Sequence, residues 1–445
     1  MSPSHLIPFQ VGDQLTLSID DVGSTGEGIG RYQGVTVFVT GALPGDTVTA
    51  RITHCYPRYA KGESLSCVHP SPDRVTPRCD LVGRCGGCQL QALSMPAQLA
   101  LKQRRVNRLL GFTGASIAPI VGMASPWGYR NKAMVPIHSS GMGFYHIGSH
   151  QVVPLTTCAI QDPRLTHVLT VIRSIMAAHG ITGYDEIAHT GSLRGVLLRH
   201  SDTHCVVVLM GRVPLEDPSI WWPLTAIQGI TGIGWMTHTS DSNRMIEGEL
   251  IPIWGELSLT HSVHGLSLSV LATSFFQVNP VQYERIMALV GRHLDTCAPR
   301  SVWDLYAGVG GFGLLAAQKG AVVNIGEWDP VAIDWARVNA QQTHCEGVGW
   351  GVGDAADLYT EWVTLSGVPD MVILDPPRKG LSTGLLAALH RHSPEWVLMV
   401  SCDVATLARD LRGLSAHYRC VSIDPFDMFP HTIHIECVAL LSRLK

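Results

Sequence analysis

A thiol, a set of carboxylates and a glycine-rich turn are the groups in this sequence whose types and spacing could do chemistry. Cys402 lies in Ser401-Cys402-Asp403, directly after the apolar run Trp396-Val-Leu-Met-Val400, so a core strand would deliver a thiol to its carboxyl end. Most cysteines are inert buried hydrophobes, and it is this placement that makes Cys402 a candidate nucleophile. Glu436 closes Asp427-Met-Phe-Pro430-His431-Thr-Ile-His434-Ile-Glu436 and opens the last apolar run. Burial there would raise its pKa and suit it to proton transfer near neutral pH. The alternative for Glu436 is a structural hydrogen bond to His431 or His434. Asp375 follows the apolar run Met371 to Leu374 and precedes Pro376-Pro377-Arg378. Two prolines hold the backbone extended and remove two donors, which would fix that carboxylate in place.

The glycine-rich turn is Tyr306-Ala-Gly308-Val-Gly310-Gly311-Phe-Gly313, following the strand-like run Val302 to Leu305. Glycines let the backbone turn sharply and approach a ligand closely. The next strand ends at Glu327, where a carboxylate can accept hydrogen bonds from ribose hydroxyls. Taken alone, this pattern also fits a dinucleotide fingerprint. Three features tilt it toward S-adenosylmethionine. Asp304 stands four residues before the first glycine, a placement common in methyltransferases. Asp354, in Val352-Gly353-Asp354, follows a third strand and can meet an adenine edge, and Asp375 ends a fourth.

From about Asn279 the chain alternates helices with apolar strands (Val302 to Leu305, Val322 to Ile325, Met371 to Leu374, Trp396 to Val400), the signature of a doubly wound parallel sheet. Ligands of such sheets bind beyond the carboxyl ends of the strands, where the candidate residues fall. At the other end of the chain, Leu15 to Ile19, Val35 to Val39 and Val48 to Ile52 alternate with period two between turns such as Gly41-Ala-Leu-Pro-Gly45-Asp46. They predict a small OB-like barrel, a common single-strand nucleic-acid platform. A helix is expected over Ser94 to Leu110, with Leu99, Val106, Leu109 and Leu110 as its apolar stripe. The region from Tyr129 to about Ser269 reads as an α+β insert. The expected fold class is therefore multidomain α/β. Residues 1–66 form the barrel, 67–270 the cysteine-bearing segment and central α+β domain, and 271–445 a Rossmann-like sheet.

The chain has 445 residues and is 46% apolar and 15% charged, enough for two or three packed domains and against disorder. No basic-then-apolar leader and no membrane-length apolar stretch stand out, so a cytoplasmic protein is expected. The net charge of −4 does not advertise a nucleic-acid partner. Between Cys67 and Val135, however, nine Lys/Arg face only Asp73 and Asp80, a local excess of seven positive charges. That stripe (Arg74, Arg78, Arg84, Lys102, Arg104, Arg105, Arg108, Arg130, Lys132) reads either as a solvated face or as a phosphate-binding surface. The chain's twelve cysteines are better read as reduced thiols than as a disulfide frame. Cys79 and Cys85 are separated by five residues, Cys85 and Cys88 by two, and Cys158 could complete a set of four. Zinc and iron–sulfur fit that spacing about equally. Cys55, Cys67, Cys205, Cys297, Cys345, Cys420 and Cys437 read as packing residues.

Gly308 to Gly313, DPPRKG (Asp375 to Gly380), SCDVATLARD (Ser401 to Asp410), DMFPHTIHIE (Asp427 to Glu436) and SFFQVN (Ser274 to Asn279) resemble the RNA uridine-5-methyltransferase family. GALPGD (Gly41 to Asp46) resembles its TRAM domain, an OB-like barrel, and the likeness is closest to the 23S ribosomal RNA members. The resemblance implies that Cys402 is the nucleophile, Glu436 the base, and Asp375 a contact to uracil near the cofactor. It implies S-adenosylmethionine contacts from Gln277, Tyr306, Gly311, Glu327, Asp354 and Asp375. A 4Fe–4S cluster would sit on Cys79, Cys85, Cys88 and Cys158, and the partner would be RNA, 23S ribosomal RNA first and transfer RNA second, bound by a monomer. Two residues depart from the pattern. The family usually has asparagine at the position of Gly311, which removes a polar cofactor contact. It usually reads Cys-Asn-Pro where this chain has Cys402-Asp403-Val404, and an ionised Asp403 would raise the thiol pKa and slow attack. Two rivals are a nicotinamide-dependent oxidoreductase and a catalytically silent RNA-binding homologue. A radical methyltransferase lacks support, because its C-x-x-x-C-x-x-C triplet is absent.

Overall fold

The computed structural model describes residues 8–240, 242 and 245–444, which fall into two compact units. The first contains residues 8–105 with Tyr145–Gln151 and Phe429–His434. Five strands close its barrel in the order β1-β2-β3-β5-β4: β1 Gln14–Val22, β2 Gly28–Tyr32, β3 Val35–Thr40, β4 Thr47–Tyr56 and β5 Tyr59–His69. The period-two pattern explains the closure. Leu15, Leu17, Ile19, Val37, Val39, Val48, Ala50 and Ile52 all turn into one core, and their neighbours face out. Asp46 locks the turn before β4. Its carboxylate accepts from the Leu43 and Ser71 N–H groups and from Arg74 Nε and Nη2, at 2.6–2.9 Å. The β4–β5 hairpin carries an aromatic strip on its outside. Tyr56 and Tyr59 stack with centroids 4.5 Å apart, His54 lies over Tyr56, and Phe38 meets Tyr59 edge-on. Helix α1, Met95–Leu110, forms where its apolar spacing predicts, burying Leu101, Val106 and Leu110; Leu99 is only half-buried.

The second unit contains Val106–Phe144, Val152–Met428 and residues 435–444. After the short β6, Ser116–Ile117, the insert builds a seven-stranded sheet. Its strands are β7 Lys132–His138, β8 Gly141–Tyr145, β9 Val152–Pro154, β10 Leu193–His200, β11 Cys205–Gly211, β12 Ile230–Thr237 and β13 Leu250–Gly255, with α2, Arg164–His179, between β9 and β10. A hairpin of β14, Ser258–Val263, and β15, Leu266–Leu271, leads out of it.

The last part of the chain alternates as its sequence predicts: α3 Pro280–Cys297, β16 Ser301–Leu305, α4 Gly311–Gln318, β17 Val322–Glu327, α5 Pro330–Gln342, β18 Gly349–Val352, α6 Ala355–Ser366, β19 Met371–Leu374, α7 Thr383–Arg391, β20 Trp396–Ser401 and α8 Val404–Leu414. Two final strands, β21 Tyr418–Phe426 and β22 Glu436–Arg443, complete an eight-stranded sheet ordered β18-β17-β16-β19-β20-β22-β21-β6. Strands β18 to β20 are parallel, so their carboxyl ends form one edge. β22 runs antiparallel to β20 and brings its amino end to that same edge. The strands read as unbroken apolar runs because helices cover both faces: Val372, Leu374, Val397 and Met399 pack with Leu385, Leu389, Leu407 and Leu411 in one core. Among the described residues, no helix is long and apolar enough to cross a membrane.

Candidate active site

Strand register brings the thiol and the carboxylates together. Ser401 of β20 pairs with Cys437 of β22 in antiparallel register, so the next positions outward, Cys402 and Glu436, are cross-strand neighbours. Leu374 of β19 pairs with Met399 of β20, which puts Asp375 at the same edge one strand over. Prolines 376 and 377 carry the chain away from β19, and α8 holds the loop that follows. Thr406 Oγ1 donates to the Arg378 carbonyl (3.1 Å), Arg409 Nη2 to the Lys379 carbonyl (2.5 Å), and Leu381 N–H to Asp410 Oδ2 (3.0 Å). Gly380, at φ +75°, packs so closely on Thr406, Arg409 and Asp410 that a side chain there would collide with all three. The spacing within Ser401 to Asp410 thus has a mechanical meaning: its later residues clamp the Asp375 loop.

Electrostatics at this edge favour a cation. Burial pushes the Glu436 carboxyl well above its ordinary value, and the charge of Asp375 adds to that while Arg378 opposes it. Glu436 Oε1 is buried without a hydrogen-bond partner among the described residues. Asp375 is also raised, by burial first and by Glu327; the Gln277 side chain hydrogen-bonds it and pulls the other way. Asp304, wholly buried on β16, is pushed up to about 8 by burial, then by Asp375 and Glu327, against a 2.7 Å bond from the Gly313 N–H. Its second oxygen, Oδ1, has no partner among the described residues. Carboxylates that raise one another and leave oxygens unsatisfied are poised for a positively charged ligand.

The glycine-rich turn lies on the same edge. Gly308 N–H donates to Glu327 Oε2 (2.9 Å), while Glu327 Oε1 accepts from Trp328 N–H (2.7 Å) and Asp329 N–H (3.2 Å). A carboxylate has about four lone-pair sites, so acceptor capacity remains for ribose hydroxyls. Tyr306 is held at φ +62°, a strained conformation for a non-glycine residue and one that clusters at ligand sites. Burial, with Asp354, Asp410 and Glu327 nearby, lifts its phenol to about 12. Asp354 caps α6, accepting from Ala356 N–H at 2.8 Å. Gln277 is anchored through its carbonyl, which accepts from Asn131 Nδ2 (3.0 Å), and Asn279 caps α3.

Several expectations need correction. Asp403 is not among the charges that act on Cys402. It caps α8, accepting from Thr406 N–H at 2.8 Å, so its carboxylate is turned to the start of the helix. Burial, then Glu436 and Asp375, push the Cys402 thiol up to about 11, with Arg378 pulling down. The basic stripe is also smaller than its count. Arg74 is paired with Asp46, Lys102 is buried with Nζ donating to the Phe429 carbonyl (3.1 Å), and burial pulls Lys132 down to about 7. Arg78, Arg84, Arg104 and Arg108 remain exposed. Cys55 and Cys67 are exposed on the barrel rather than packed inside. Among the described residues, no group of three or more His, Cys, Asp or Glu side chains is arranged to hold a metal ion. Burial raises the Cys85 thiol, Gly87 N–H at its Sγ (3.4 Å) opposes that, and Cys79 adds to it.

Two residues that spacing did not reveal join the site: Arg378, which acts on both Cys402 and Glu436, and Tyr283 of α3, whose hydroxyl faces Gly311. Arg378 could have been found from its place beside Asp375; Tyr283 had no signal, being one of several apolar-face positions of a helix.

Residues 8–65 match the TRAM domain, and residues 263–444 match the tRNA (Uracil-5-)-methyltransferase family. An RNA methyltransferase of Clostridium tetani is 32% identical, with 98% of each chain covered, and one of Halalkalibacterium halodurans is 34% identical at the same coverage. The chain belongs to the RNA uracil-5-methyltransferase family. As a member it is an S-adenosylmethionine-dependent RNA methyltransferase with a TRAM barrel. It is also similar to a solved structure of the Pyrococcus abyssi tRNA (uracil-54, C5)-methyltransferase in complex with S-adenosyl-L-homocysteine. That likeness is 26% identity over 96% of this chain and 100% of the other, with a TM-score of 0.79. The cofactor of the family carries a sulfonium and an ammonium group, and the mutually raised carboxylates and the orphaned Asp304 oxygen fit such a cation.

Proposed function

We propose that this methyltransferase modifies carbon 5 of a uridine in 23S ribosomal RNA through a covalent adduct on Cys402. The observation that carries the reading is the register that sets Cys402 beside Glu436 with Asp375 at the same sheet edge. Carbon 5 of uracil is a poor nucleophile. Addition of the Cys402 thiolate to carbon 6 moves the ring electrons into an enolate, whose carbon 5 can then take a methyl group. S-adenosylmethionine supplies that methyl in electrophilic form. Glu436 removes the proton from carbon 5, the enolate re-forms, and the carbon–sulfur bond breaks to return the thiolate. Asp375 orients the uracil. Gln277, Tyr306, Gly311, Glu327, Asp354 and Asp375 line the cofactor side. Burial is the largest cause that keeps Cys402 protonated, and a cation bound among these carboxylates would offset the Glu436 and Asp375 charges that add to it.

In this reading residues 1–66 hold RNA, 67–270 support the target, and 271–445 do the chemistry, in a monomeric cytoplasmic protein. The target base must leave its stack to reach the thiol. The proposal keeps a 4Fe–4S cluster on Cys79, Cys85, Cys88 and Cys158, on family resemblance alone; iron and sulfide analysis of protein purified without oxygen tests it. Transfer RNA is the second reading, favoured by the likeness to the Pyrococcus abyssi enzyme. The deciding experiment uses ribosomal and transfer RNA containing 5-fluorouridine. Fluorine cannot leave as a proton, so the wild type should stall as a covalent adduct on one of the two. No adduct on either RNA, or an adduct that survives Cys402→Ala, overturns the mechanism.

A further inference from the structure

We infer that the Tyr283 hydroxyl is the hydrogen-bond donor for the carboxylate of the methionyl group of S-adenosylmethionine, in the space that a side chain at position 311 would fill. This rests on the cofactor reading above. Gly311 is the first residue of α4, immediately after the glycine-rich turn, and is itself buried. A Cβ built on it would collide with the Tyr283 hydroxyl, while its other neighbours, Leu268 and the Tyr283 ring, stand at ordinary distance. The glycine is therefore matched to the tyrosine: a larger residue at 311 and Tyr283 exclude each other.

Tyr283 is held for this task. It lies in the first turns of α3, whose start is fixed by the Asn279 cap. Its ring meets Phe276 and Phe312 edge-on, with centroids 5.4 and 6.0 Å away. The side chain is only 6% exposed, yet its hydroxyl makes no hydrogen bond among the described residues. The hydroxyl oxygen is not wholly closed off, so it remains able to donate to a ligand. Burial, with Asp375 and Asp304 nearby, raises the phenol well above its ordinary value, so it stays a donor.

The ligand group follows from charge. The carboxylates Asp304, Asp375 and Glu327 suit the sulfonium and ammonium of the cofactor and repel its carboxylate. Relief for that carboxylate must come from neutral donors, and the protonated Tyr283 hydroxyl beside the amino end of α4 is one.

Calorimetric binding to the full-length protein tests this, using S-adenosylmethionine and its decarboxylated form, which lacks only the carboxylate. Tyr283→Phe keeps both ring contacts and should weaken S-adenosylmethionine binding by roughly tenfold to a hundredfold. Binding of the decarboxylated form should not change. Gly311→Ala in the wild-type background should weaken S-adenosylmethionine by displacing the hydroxyl, and should add nothing further in the Tyr283→Phe background. Equal losses for both ligands, or no loss for either, overturn the inference. A wild type that binds neither ligand overturns the cofactor reading beneath it, a result that cannot be confused with the other two.

Discussion

Glu436→Gln keeps the size of the side chain and removes its charge, and its effect on the neighbouring thiol can be worked out in advance. Without cofactor, the Cys402 thiol sits at about 11, so about one molecule in 3,000 carries a thiolate at pH 7.5. Burial is the largest cause and survives the substitution; the Glu436 charge is the next. Removing a like charge favours the ionised thiol, so the midpoint must fall, yet not all the way to the ordinary value near 9.0. A fall of about half to one pH unit means roughly three- to tenfold more thiolate at any pH well below the midpoint. Iodoacetamide alkylation, read from the Cys402 peptide by mass spectrometry between pH 7 and 10, measures this directly. The variant should react three- to tenfold faster than wild type at the alkaline end of that range, where wild-type Glu436 is ionised, while its methyl transfer is lost and RNA accumulates as a covalent adduct. Alkylation of the variant at an equal or lower rate would refute the electrostatic account of the site.

Three further outcomes follow from the geometry. Asp403→Ala should cost about 1 kcal/mol of stability through loss of the α8 cap, measured by urea unfolding, and leave the Cys402 alkylation profile where it was. Asp46→Ala should loosen the barrel by about 1–3 kcal/mol at pH 7, read as faster hydrogen exchange in β1–β5. Burial works against ionised Asp46, but Arg74 and the Ser71 and Leu43 N–H groups outweigh it and hold its pKa below the ordinary value of 3.8. Its contribution is therefore present above that pH and fades as the pH drops through the folded value, so the gap to wild type should close in acid. Replacing Tyr56 and Tyr59 by alanine should weaken RNA binding by about 1–3 kcal/mol for each base stacked there, in a filter-binding assay at fixed salt.

Much of the catalytic sheet was legible because buried parallel strands must read as apolar runs, and the residue after each run must fall on the ligand edge. Cys402, Asp375 and Glu327 could be placed that way. Glu436 was harder: its neighbourhood depends on β22 running antiparallel into a parallel sheet, which no local period encodes. The Asp403 expectation failed because sequence adjacency is not spatial adjacency. A residue after a strand and before a helix can turn its side chain to the helix N–H groups, as Asp403 does. The basic stripe is thinner than its count for a related reason, since a count of charges does not know that Asp46 sits under Arg74 or that Lys102 reaches a carbonyl. Tyr283 was invisible because a helix position gains meaning only from what it faces, and here that is a glycine 28 residues further on, on another helix.

The register between β20 and β22 has a consequence for how this enzyme can vary. Ser401 to Cys437 pairing acts as a ruler, with Cys402 and Glu436 at its zero mark. Apolar exchanges along either strand leave the ruler intact, so the sequence there is free to drift among hydrophobic residues. A single inserted or deleted residue is different, because side chains alternate faces with period two and a one-residue slip would turn Glu436 to the far side of the sheet. Variation in this region should therefore be permissive in residue type and strict in length.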